Sequence, residues 1–163
     1  MVFRSLNDYE HDNLLNQFKK TNYDLIVSRQ VYLYDNTEQE WLKHINNKKD
    51  MKLIRRSKLR YVDHEDMKPF LSQALDLYSS LYIKKYTKLN PQFTLKYFKE
   101  SYELGVIHFH GYLDETGLLK AFSGQVTIGN TIPSPILGYD LTAPKKDGLY
   151  IHAAHLSLLR KFK

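Results

Sequence analysis

Cysteine is absent from the 163 residues, so disulfides, thiolate zinc sites and a cysteine nucleophile are all excluded, and a reducing compartment is the natural setting. No apolar run approaches the ~20 residues a membrane-spanning helix needs. The opening stretch MVFRSLNDYEHDN has no apolar core of the kind a secretory signal carries. Tryptophan occurs once, proline five times and glycine seven times; no low-complexity tract or internal repeat is visible. Among motifs, a serine nucleophile elbow, a Walker loop, a Rossmann fingerprint and an HExxH helix are all missing. So are the patterns of zinc fingers, RNA-recognition strands and helix-turn-helix elements, which argues against sequence-specific nucleic-acid binding. These absences predict a soluble, cytoplasmic chain without a membrane span.

What is present is globular composition: 42% apolar and 26% charged residues. The length suits one domain, or one and a fraction, around a single core. A formal charge of +6 makes an anionic partner plausible.

Residues 5–20 read as a short polar helix anchored by Leu6, Leu14, Leu15 and Phe18. Next, YDLIVSRQVYLYD alternates, with Leu25, Val27, Val31 and Leu33 on one side, as a half-buried strand does. Thr37 and Glu40 form a capping-box start for a helix through Trp41, Leu42 and Ile45. Continued through KKDMKLIRRSKLR, that helix would carry a basic stripe of Lys48, Lys52, Arg56 and Arg60, with Arg55 beside it. Such a stripe is either a solvated face or a contact for phosphates or RNA.

From Leu59 onward the order is strand, helix, helix, strand, strand, strand, helix. LRYV is a short strand and Asp63 caps the following helix, which helical spacing from Met67 to Tyr82 extends to about Lys88, where Asn90 and Pro91 stop it. A second helix fits Thr94 to Leu104, with Gly105 just past its end. VIHFHGYL and LLKAFSGQVTIGN alternate on either side of DETG and form a hairpin turned at Gly117. PILGYDL supplies a third strand of this run, and DGLYIHAAHLSLLRKF closes as a helix with Leu149, Ala153, Leu156 and Leu158 or Leu159 inward. The fold class expected is α/β in the broad α+β sense: a mixed, mainly antiparallel sheet flanked by helices. Its expected division is an N-terminal helix-strand-helix region with basic link, 1–58, and a domain over 59–163.

The stretch GYDLTAPKKDGLYIHAAHLSLLRKFK places a basic, glycine-containing turn between strand and helix. Free N–H groups at a helix start, its dipole and a glycine allowing close approach together suit an anion such as a pyrophosphate. The alternative is an ordinary connection. This order and turn resemble the N-terminal half of the GNAT acyltransferase superfamily, whose Gln/Arg-x-x-Gly-x-Gly/Ala motif binds acyl-CoA. Lys145, Gly148 and Tyr150 fall on its marked positions and only Gly148 matches. GYD, a Pro, GLY and the earlier YIKKYTKLNPQFT are similar to the branch related to Fem-type and polysaccharide-assembly transferases.

The resemblance implies acetyl-CoA or another acyl-CoA as co-substrate and an amine as acceptor. Leu137, Gly138 and Leu141 would then lie along the pantetheine arm, with Lys145, Lys146, Asp147, Gly148, Leu149 and Tyr150 at the phosphates. It also implies an incomplete domain. The family continues past this helix with further strands, so the strand at 135–141 would keep an open edge for a dimer partner, a second chain or the strand at 24–34. Tyr139 would be a general acid toward the departing thiolate, or simply pack; Asp140 would orient the amine, or cap the turn; either strand histidine, with His108 the candidate, would suit an acid or base role by residue type. His108, His110, His152 and His155 would make a metal site only if strand face met helix, and interfacial polar roles are favoured over it. The rival function is a non-enzymatic basic module that contacts RNA or another anionic surface.

Overall fold

The computed structural model describes residues 12–21, 38–129 and 131–159, and the chain divides into two compact units, 1–35 and 36–163. In the first, α1 (Asp12–Lys20) closes on Thr21, whose hydroxyl donates to the Gln17 and Phe18 carbonyls at 3.0 and 3.1 Å. The strand expected at 24–34, the Thr37 cap and Leu6 lie outside the described residues, as do the side chains of Leu14, Leu15, Ile45, Leu158 and Leu159.

Two helices open the second unit, α2 (Glu38–Lys43) and α3 (Ile45–Arg56), where periodicity predicts one. His44 between them is extended, at φ −71 and ψ 128. α3 ends at Ser57, also extended, so Arg60 belongs to the first strand and the helical stripe stops at Arg56. The long helix expected up to Lys88 is likewise divided. Asp63 caps a 3-10 turn, His64–Asp66, by accepting from the His64 N–H at 2.7 Å. A second such turn, Lys68–Phe70, contains Pro69, which has no N–H to give a continuous α-helix. α4 proper is Leu71–Tyr78, and it widens directly into a π-helical stretch, Ser79–Tyr86. α5 (Leu95–Glu103) starts at Thr94, whose hydroxyl accepts from the Tyr97 N–H at 3.1 Å, and is followed by Gly105 at φ 65, as the sequence predicts.

Four strands form one antiparallel sheet in the order β1-β2-β3-β4: β1 Arg60–Val62, β2 His108–Leu113, β3 Leu119–Gln125 and β4 Ile136–Tyr139. The β2–β3 turn has Gly117 at φ 83. Tyr112 faces Ala121 while Leu113 faces Leu119, so Lys120 is an extra residue on β3, a bulge. α6 (Leu149–Leu159) follows β4. The described fold is thus mixed α+β, with six α-helices among the described residues.

α4 and α5 cover one face of the sheet. Phe98 of α5, Phe109 of β2 and Phe122 of β3 are fully buried, with ring centroids 5.3 to 6.4 Å apart, and Met67, Leu71, Leu113 and Ile136 complete the same core. A Cβ on Gly138 would stand 2.8 Å from the Tyr78 nitrogen and 2.9 Å from the Leu77 carbonyl carbon. Glycine at that position lets the end of α4 rest directly on β4. The opposite face lies under α6 and mixes buried apolar residues with the polar Ser123, Gln125 and His152, and from it the candidate site is built.

Candidate functional site at the β4–α6 crossover

The crossover begins where β4 ends. The Asp140 N–H donates to the Lys120 carbonyl at 2.9 Å. Antiparallel ladders alternate, so Gly138 and Ile136 direct their backbone groups toward β3 while Leu137 and Tyr139 direct theirs to the outer edge. β4 is the last strand in the sheet, and that edge has no partner strand among the described residues.

Asp140 is then fixed on both carboxylate oxygens. Oδ2 accepts from Lys120 Nζ at 2.9 Å; Oδ1 accepts from the Thr142 N–H at 2.9 Å and its hydroxyl at 2.6 Å. Burial alone would raise its pKa, but the bonds from Thr142 and Lys120 outweigh it and hold the carboxyl below the usual range. Asp114 repeats the arrangement at the end of β2. Its Oδ1 accepts from Thr116 and from the Leu118 N–H, its Oδ2 lies 3.4 Å from the same Lys120, and the Thr116 hydroxyl leads in lowering its pKa to about 2. Hydrogen bonding to Asp140 in turn raises Lys120. The bulge at Lys120 therefore clamps both strand ends, and this is the Asx-turn role of Asp140 rather than a free carboxylate.

Beyond Pro144, a 3-10 turn, Lys145–Asp147, leads to Gly148 in the left-handed conformation at φ 60 and ψ 34. The Gly148 N–H closes the turn onto the Lys145 carbonyl at 3.1 Å, and the first helical bond is His152 N–H to the Gly148 carbonyl. Helix geometry leaves Leu149, Tyr150 and Ile151 without intrahelical acceptors for their N–H groups. Lys145, Lys146, Asp147 and Leu141 are exposed, and neither lysine forms an ion pair among the described residues. Leu149 turns into the core. Tyr150 is 63% exposed and packs edge-to-face on Tyr139 with centroids 6.0 Å apart, which anchors its ring on the β4 side of the turn.

α6 is pinned to α3. Leu53 fills the space a side chain at Gly148 would need, within 2.8 Å of the Cβ position. His152, fully buried, has Nδ1 3.0 Å from the Gly148 carbonyl and Nε2 3.1 Å from Ser57 Oγ. A carbonyl only accepts, so Nδ1 carries the proton and Nε2 accepts from Ser57. Burial lowers the His152 pKa, which favours the neutral imidazole.

Further along the interlayer, Tyr112 lies edge-on to His152 at 5.0 Å, and its hydroxyl is 3.4 Å from His155 Nδ1. Ser123 meets Ser157 at 3.2 Å, and Gln125 Nε2 donates to the Leu156 carbonyl at 2.9 Å. At the β1 end, Tyr61 OH is 2.9 Å from His110 Nδ1, which is 3.0 Å from Asp63 Oδ1. Burial, reinforced by the Asp63 carboxylate, pushes the Tyr61 phenol far above its ordinary value.

The three candidate catalytic residues are not brought together. Tyr139 and Asp140 adjoin the crossover, but His108 packs against His64, ring centroids 4.7 Å apart, two strands and roughly 10 Å from β4. Strand face does meet helix, as the metal alternative required, yet His108 packs on His64 and His110 bonds Tyr61 and Asp63, while His152 and His155 share Tyr112. Among the described residues no three His, Asp or Glu side chains converge in metal-binding geometry. Sequence reasoning missed the Asp114–Lys120–Asp140 clamp, although its signal was there: Asp-x-Thr recurs as DET and DLT at the ends of two strands. Ser57, His152 and Leu53 were missed as a group because nothing local pairs residues so distant in sequence. No family model, curated protein or solved structure matches the chain.

Proposed function

We propose that this chain supplies the acyl-CoA-binding half of a GNAT-like N-acyltransferase. The observation that carries the reading is the β4–α6 crossover: outward amides and carbonyls at Leu137 and Tyr139, then a left-handed glycine and a helix start beside two exposed lysines, all at one end of a β1-β2-β3-β4 sheet. The outer edge of β4 suits the amide-bearing pantetheine arm, which would pass the Tyr139–Tyr150 pair. The first-turn amides of α6, with Lys145 and Lys146, suit the pyrophosphate.

In the reaction, the acceptor amine attacks the thioester carbonyl, the C–S bond breaks, coenzyme A leaves as thiolate and the amine proton passes to a base. Outward N–H groups of β4 would polarise the carbonyl. Tyr139 is the candidate to protonate the thiolate. Asp140 serves by holding the end of β4 in place. An open edge also suits a second chain that completes the acceptor side, and activity would then depend on it.

Calorimetric titration with coenzyme A and acetyl-CoA tests the proposal. Binding is expected, together with a rise in thermal midpoint. Lys145→Glu with Lys146→Glu should weaken it at least tenfold while leaving the midpoint of the free protein unchanged, since both side chains are exposed. An unchanged midpoint at millimolar coenzyme A, with salt-sensitive RNA binding, would select the basic-module reading instead.

A further inference from the structure

The cationic face of α3 is not absorbed by the crossover. Lys48, Lys52, Arg55 and Arg56 line an open groove of about 480 Å³ with Leu42 of α2 and Met51. α3 carries five cations and one acid, Asp50. Elsewhere, Lys58, Lys68, Lys96 and Lys120 all have carboxylate partners; the four groove cations have none among the described residues.

Helical geometry separates this groove from the site. Leu53 and Ser57 face α6, and the groove residues centre roughly 150° around the helix from them. A ligand in the groove therefore leaves the crossover free.

We infer that the α2–α3 segment docks on an anionic bilayer surface, with Lys48, Lys52, Arg55 and Arg56 against lipid phosphates and Leu42 and Met51 at the headgroup boundary. Charge complementarity and the apolar floor argue for this occupant: four cations along two helical turns, flanking apolar side chains, are the composition of a helix that lies in the interface plane. Single-stranded nucleic acid fits less well, because it is held by bases stacked on aromatic rings, and among the described residues no aromatic side chain lines the groove. Docking is independent of acyl transfer, and neither stands on the other.

Vesicle flotation of the full chain tests this. Binding is expected on phosphatidylcholine vesicles containing roughly one-third phosphatidylserine, falling with added salt, and not on phosphatidylcholine alone. Each cation close to an anionic surface contributes about fivefold, so Lys52→Ala with Arg55→Ala should lower partitioning roughly thirtyfold with an unchanged thermal midpoint. Both side chains are exposed, and the full-length midpoint reports directly whether the variant folds. No flotation at low salt, equal flotation on zwitterionic vesicles, or an unaltered double variant overturns the inference. So does a single-stranded RNA oligomer that binds the groove and excludes the vesicles.

Discussion

The two faces of the sheet are held by different physics. Under α4 and α5 the contacts are apolar, aromatic and fully buried, built on Phe98, Phe109 and Phe122. Under α6 the buried apolar residues Ala121, Leu149, Ala153 and Leu156 are interleaved with buried polar groups, Ser123, Gln125 and His152, that hydrogen-bond across the layer. Apolar burial is non-directional and contributes most of the stability. Polar contacts add little net energy when satisfied but cost heavily when broken, and so fix one arrangement of α6 over the sheet. Hydrogen-bonded precision is thus concentrated on the side that carries the crossover, while the larger aromatic burial lies on the other.

The sharpest way to break the comparison is Phe122→Ala. It should cost about 3–5 kcal/mol in chemical denaturation, more than any single change under α6. Gly138→Ala comes next, at about 1–3 kcal/mol, because the added methyl meets the backbone at Leu77 and Tyr78, which cannot yield as a flexible side chain can.

Third, His152 should make the polar face pH-sensitive. Its folded pKa is lowered, so its contribution is complete above the unfolded value of about 6.5 and is lost as pH falls below it. Thermal midpoints between pH 7.5 and 5 should fall for the native chain and change less for His152→Gln. A native chain whose decline matches that of the variant would remove His152 from the account.

The smallest effect should come from Asp140→Asn. The depressed pKa of Asp140 places its stabilising contribution above the ordinary aspartate value, with loss as pH falls through the lower folded value. The variant should therefore flatten the acid limb of the stability curve more than it lowers the midpoint at pH 7.

Local chemistry was legible in the sequence. The cap at Asp63, the helix start at Thr94, the left-handed glycines at 105 and 117, and the alternation of β2 and β3 all appear where residue type and spacing put them. The long helix was misread because periodicity across Met67 to Tyr82 obscured Pro69, and because a widening into π geometry keeps the same apolar residues inward. Arg60 was placed on the helix because the stripe's four-residue spacing runs on past Ser57, where the backbone does not. At the site, Gly148 and the turn were visible, whereas the burial of His152 and the grip of Lys120 on two aspartates depend on long-range packing. Periodicity carries no information about such partners.

The seam between α3 and α6 also decides where the polypeptide tolerates scission. A nick at exposed, extended His44 should leave the sheet and its covering helices associated. A fragment begun at Leu59 would retain every described strand yet lose Leu53 and Ser57, uncovering Gly148 and stranding the imidazole of His152 without its hydroxyl donor. The smallest autonomous piece of this protein therefore starts upstream of α3, and trimming experiments should find a sharp drop in recoverable protein once that helix is removed.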